Sequence, residues 1–130
     1  MKVYFEDDHA VVKHDEARKL VEVSWKITDS NSSKYRFTLT KALAVFKQFD
    51  IKIWVSNMKN IQNVSDQDKQ WVKEVLIPNI ASQSLDKAVF VVKKESTFEI
   101  NEISAIAKSN GVNINFFDTI EEAYQWLENN

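Results

Sequence analysis

Apolar and polar residues alternate strictly from Leu20 to Ile27. Val21, Val23, Trp25 and Ile27 fall on one side; Glu22, Ser24 and Lys26 fall on the other. Period two predicts a β-strand with one wet face. Two shorter runs precede it. Lys2 to Phe5 sets Val3 and Phe5 against Tyr4, and Ala10 to Lys13 follows turn chemistry at Glu6 to His9. With a second turn at His14 to Ala17, the chain should open as an antiparallel meander.

The period then lengthens. After the polar linker Asp29 to Ser33, Leu39, Ala42, Leu43, Phe46 and Phe49 share one face of a helix ending near Asp50, with Tyr35 joining them. Ile51, Ile53 and Val55 alternate with Lys52 and Trp54, predicting a strand with both faces partly covered. Ser56-Asn57 closes it. Ser65 opens the next helix as its N-cap, with Asp68 placed to complete a capping box. Asp66 and Asp68 suit the positive end of the helix dipole. Trp71, Val72, Val75, Leu76 and Ile80 form its stripe, and Pro78 should kink or end it near Ile77. Ala88 to Val92 reads as a strand buried on both faces. Ser96 and Glu99 mark a second capping box before the stripe Ile100, Ile103, Ile106 and Ala107, which Asn110-Gly111 ends. A last strand carries Val112, Ile114 and Phe116. A third cap at Thr119 to Glu122 starts a helix with Ile120, Ala123 and Leu127 inside and Tyr124 and Trp126 flanking.

This order predicts one α/β domain over residues 1–130: a mixed, mostly parallel sheet with an antiparallel N-terminal meander and four helices. Composition then removes chemistry. One glycine excludes both glycine-rich phosphate loops and the G-x-S-x-G nucleophile turn. No cysteine means no disulfide, no thiolate metal ligand and no cysteine nucleophile, which fits a cytoplasmic protein. A net charge of −2 with mixed signs argues against nucleic-acid binding. No apolar run approaches the roughly 18 residues of a membrane span, and no h-region of a signal peptide follows Met1-Lys2-Val3.

Candidate chemistry is sparse. His9 and His14 flank a strand with Asp7, Asp8, Asp15 and Glu16 nearby, but two turns of a hairpin explain them better than a metal site. Asp66 with Asp68, and Glu121 with Glu122, could pair as acid and base, yet first-turn acids are usually exposed partners of the helix dipole. No catalytic motif, metal or cofactor is expected. A strand feeding a loop and a helix N-terminus is where open α/β sheets place ligands, so Trp54, Ser56, Asn57, Lys59, Ser65, Asp66, Asp68 and Trp71 are the candidate surface. Trp54 lies opposite Ile51, Ile53 and Val55 and could meet Trp71 beside the loop.

The strand end with Trp54, Asn57 and Lys59, the cap with Ser65, Asp68 and Trp71, the run Ala88 to Val92 and the close Phe116 to Leu127 together resemble the bacterial STAS/SEC14-like proteins, relatives of the SpoIIAA anti-sigma-factor antagonist fold. The resemblance implies a STAS-like sheet flanked by helices. In phospho-switched members a strand-end Asp precedes a loop with Asp-Ser-Ser-Gly, whose serine is phosphorylated. Here Asn57 holds the strand end and Ser65-Asp66 lies near the switch, one place early and with no glycine after it. Phosphate on Ser65 would be opposed by Asp66 and Asp68, so the helix-cap role is preferred. The expectation is a non-enzymatic interaction module using the loop from Ser56 to Asp68 and the helix after it. It requires an exposed apolar patch and no deep cavity. The alternative is a carrier of a small amphipathic or lipid-like ligand near Trp54 and Trp71. It requires an enclosed pocket of a few hundred Å³. Homodimerisation through the wet sheet face or the edge strand is compatible with both.

Overall fold

A computed structural model describes residues 1–26, 32–60, 64–82, 85–93 and 97–129. Six strands form one sheet in the order of the chain: β1 (Lys2–Glu6), β2 (Ala10–Asp15), β3 (Leu20–Trp25), β4 (Ile53–Asn57), β5 (Lys87–Val91) and β6 (Ile114–Phe117). β1, β2 and β3 pair antiparallel; β3 to β6 pair parallel. The helices are α1 (Ser32–Gln48), α2 (Asp66–Trp71), α3 (Ile77–Ala81), α4 (Thr97–Ser109) and α5 (Ile120–Asn129). A π-helical turn, Val72–Leu76, joins α2 to α3. The sheet is therefore mixed and the class α/β, with four helical runs.

Each strand pairs with its predecessor, so crossovers of one hand put their helices on one face. Side-chain alternation follows. Ala10, Val12, Val21, Val23, Trp25, Trp54 and Ala88 pack with Tyr35, Leu39, Phe46, Leu76 and Ile80 beneath α1, α3 and their neighbours. Leu20, Val55, Val89 and Val91 pack on the other face against Ala123 of α5. Ala88 to Val91 is thus covered on both sides, as its unbroken apolar run requires.

Several details differ from the sequence pattern. The register of β1 on β2 shifts between Val3 and Phe5, leaving Tyr4 without a β2 partner. The bulge breaks the alternation, so Val3 and Phe5 do not share a face. Ile51 precedes β4 and packs in the same cluster as Trp54, not opposite it. Glu22 was expected on a wet face, yet it is buried, because Tyr124 of α5 donates a hydrogen bond to it and Ser24 Oγ adds another at 3.1 Å. The expected end of β3 at Ile27, the linker to α1 and the cap at Ser96 lie outside the described residues.

Pro78 does not end its helix. Its missing N–H and its ring conflict with a regular turn before it. The backbone widens instead, with the Ile77 N–H bonded to the Val72 carbonyl, and the helix runs on to Ala81. Left-handed backbone occurs at Gly111 (φ 72°), as expected after Asn110, and also at Lys19 (φ 53°) and Asp50 (φ 52°). With one glycine in the chain, two of these positions carry side chains that make the conformation costly. Both are tied down: Lys19 Nζ lies 3.6 Å from the Asp50 carboxylate, and the Lys19 carbonyl accepts from the Lys52 and Ile53 N–H groups.

Candidate functional site

The candidate stretch divides between two places. Trp54 and Ser56 point from β4 toward α1, and both are buried. Trp54 meets Phe46 edge-on, with ring centroids 6.1 Å apart. Trp54, Ser56 and Phe90 of β5 floor an apolar void of about 80 Å³. Tyr35 and Leu39 of α1 form one wall, and Val72 and Leu76 of the π-turn form another. Ile103 and Ile106 of α4 form a third wall of this partly open space, and Lys69 and Glu102 bring both signs of charge to its lining. A smaller void of about 20 Å³ shares Trp54, Ile77, Ile80 and Phe90 with it and reaches Val112 and Ile114. The widened helix at Val72–Leu76 stands over the larger space, and π-turns of this kind often accompany functional sites.

Asn57 and Lys59 belong elsewhere. Asn57 lies on the α5 face, and its Oδ1 accepts from the Lys59 N–H at 3.3 Å. The Lys59 ammonium donates to the Asp118 carbonyl and lies 3.4 Å from the Asp118 carboxylate. These contacts tie the end of β4 to the start of α5.

Ser65 caps α2: its Oγ accepts from the Asp68 N–H at 3.1 Å. Ser65 and Asp66 are exposed. Asp68 is not the exposed dipole partner that its position suggested. It is fully buried and paired with Arg36 Nε of α1 at 2.7 Å. Arg36 also lies over the Trp71 ring, 5.8 Å from its centroid. Burial, and then the negative Asp68, push the Tyr35 phenol well above its ordinary range. Trp71 is half-buried against α1, makes no ring contact with Trp54 among the described residues, and does not line the void. The expected pairing of the two tryptophans is therefore absent: Trp54 points into the core, while Trp71 is held on the outside by Arg36.

The histidines do not converge either. His9 sits in a turn organised by Asp7 Oδ1, which accepts from the His9 and Ala10 N–H groups at 2.8 and 3.0 Å. Asp7, Asp8 and His9 offer ligand atoms within 4.8 Å of one another, but they are half or fully exposed, and Lys34 lies 3.8 and 3.9 Å from the two carboxylates. His14 is at the far end of β2, buried with its ring 4.2 Å from that of Phe49.

Sequence reasoning missed Arg36 and the α4 side of the void. One signal was available for Arg36. Only Arg18 and Arg36 are arginines among 17 basic residues. Both make side-on carboxylate pairs, which a guanidinium suits better than an ammonium. Nothing in the local pattern marks Ile103 and Ile106 as lining a void rather than filling a core.

The chain matches no family model, no curated protein and no solved structure. Among the described residues no helix is long and apolar enough to cross a membrane.

Proposed function

We propose that this chain is a non-enzymatic, STAS-like interaction module whose contact surface is the loop after β4 and the outer side of the α2–π–α3 helix. One observation carries the reading. The candidate stretch holds partly exposed apolar side chains at Met58, Val64, Trp71 and Val75, while the space beneath it amounts to only about 80 Å³. A carrier that encloses its ligand needs roughly 300 Å³ or more. Partly exposed apolar side chains among the exposed Asn60, Ser65, Asp66, Lys73 and Glu74 suit a protein contact of mixed apolar and polar character. Trp71 and Arg36 are of the residue types that dominate such contacts. A regulatory role in the cytoplasm fits the absence of cysteine, and it belongs to the same proposal.

The test is site-specific photocrosslinking in the native host. A photoreactive amino acid at Val75 should yield a discrete protein adduct, and the same group at Lys13, on the opposite sheet face, should not. No adduct at Val75, or the same adducts at both positions, overturns the reading. Native mass spectrometry of gently purified protein separates the carrier. A small molecule retained under gentle ionisation and lost on denaturation, together with no protein adduct at Val75, would favour it over the interaction module.

A further inference from the structure

We infer that the void beneath the π-turn is a binding site for the compact aliphatic end of a small, uncharged molecule. The inference rests on the void alone and stands apart from the protein-contact reading. An apolar cavity of about 150 Å³ stays dry and takes benzene, so 80 Å³ admits roughly three to five carbon atoms. The floor and walls are carbon surface, with the Ser56 hydroxyl as one polar group on the floor. A charged group inside would lose its hydration without a partner. Lys69 and Glu102 supply both signs of charge to the lining, so neither an anionic nor a cationic head gains overall. An uncharged polar head, such as a hydroxyl, can hydrogen-bond to either. Pro78 is the cause of the space. Its ring and missing N–H favour the π-turn, whose Val72 and Leu76 line the space together with Ile103 and Ile106 of α4.

The test uses xenon and isobutanol as probes, with amide NMR as the readout. Both should give saturable shifts confined to Trp54–Ser56, Val72–Ile77 and Ile103–Ala107, and benzene should bind more weakly than isobutanol. Val72→Phe and Ile103→Phe each fill the space from a different wall, so one folded variant suffices, its melting transition checked first. Either should weaken isobutanol at least tenfold. Scattered or non-saturating shifts, or unchanged affinity in a folded filled variant, overturn the site. Pro78→Ala should also weaken binding by letting the turn tighten, and full affinity in that variant overturns the role given to the π-turn. The protein adduct at Val75 is unaffected by either result.

Discussion

On one face of the sheet three helical runs cover β2 to β5, and on the other α5 alone covers Leu20, Val55, Val89 and Val91. The face with more cover is the one that holds both voids described above. α5 seats Ala123 fully buried and is anchored at its start and in its middle by polar contacts. Lys59 reaches Asp118 at its start, and Tyr124 donates to the buried Glu22. Arg18 lies over the Tyr124 ring at 5.0 Å and holds Asp15 at 2.7 Å. On the other face α2, the π-turn and α3 come from one helix that a proline has widened, and α4 offers only Ala107 as a buried side chain among those described. Cover and closure are therefore separate properties. A regular helix with directed polar contacts closes a face, whereas a longer, irregular one leaves space.

Substitutions can break this comparison at either face. The largest effect should come from Trp54→Ala, which removes a large buried side chain from the floor of an existing void; about 3–5 kcal/mol should be lost, measured by urea unfolding. Arg36→Ala should cost about 1.5–3 kcal/mol, because it removes the charged hydrogen bond that a half-exposed guanidinium gives the buried Asp68 carboxylate. Replacing both, Arg36→Met with Asp68→Leu, should recover most of that loss. If the single variant is as stable as the parent, the pair is not what holds α2 to α1.

On the α5 face, Tyr124→Phe should cost about 1–2 kcal/mol by leaving a Glu22 carboxylate oxygen unpaired, and hydrogen exchange should quicken in α5 while α1 stays protected. Equal quickening in both helices would show that the faces do not open separately. Burial, and then the hydrogen bond to Glu22, push the Tyr124 phenol above its ordinary range. Its folded-state pKa is raised, so the stability it contributes is fully present below the unfolded tyrosine pKa of about 10 and is lost at higher pH. Tyr124→Phe should therefore narrow the gap in stability between pH 9 and pH 11. The smallest effect is at Asp15, whose carboxyl Arg18 holds below its ordinary range by hydrogen bonding. That contribution is present at neutral pH and lost as pH falls below about 4. Asp15→Asn should cost about 0.2–1 kcal/mol at pH 7, and the difference should shrink toward zero at pH 3.

Periodicity carried most of the architecture. The turns, the meander, the alternation of helix and strand and the caps at Ser65, Thr119 and Gly111 all follow from local chemistry, and the contacts agree with it. What escaped is what depends on the third dimension. A bulge at Tyr4 inverts an alternation that looked regular. Glu22 reads as a solvent-facing position until α5, about a hundred residues later, brings a hydroxyl to it. Pro78 reads as a kink or a helix end, and the pattern does not say that the answer is a wider turn with the helix running on. Trp54 points into the core, and its ring partner is Phe46 rather than Trp71. Face assignment from the strand pattern fixed its direction but not which side of α2 would meet it.

The unbroken left-to-right succession of the six strands has a consequence for synthesis. Each new strand finds its docking edge already made by the segment that left the ribosome just before it, so the sheet can grow by single additions with no gap to be filled later. α5 follows all six strands and seals the second face in one step. A nascent chain stopped before Ile120 would display Leu20, Val55, Val89 and Val91 together as a sticky plane, which gives cellular proteases and chaperones a clear mark of an unfinished molecule.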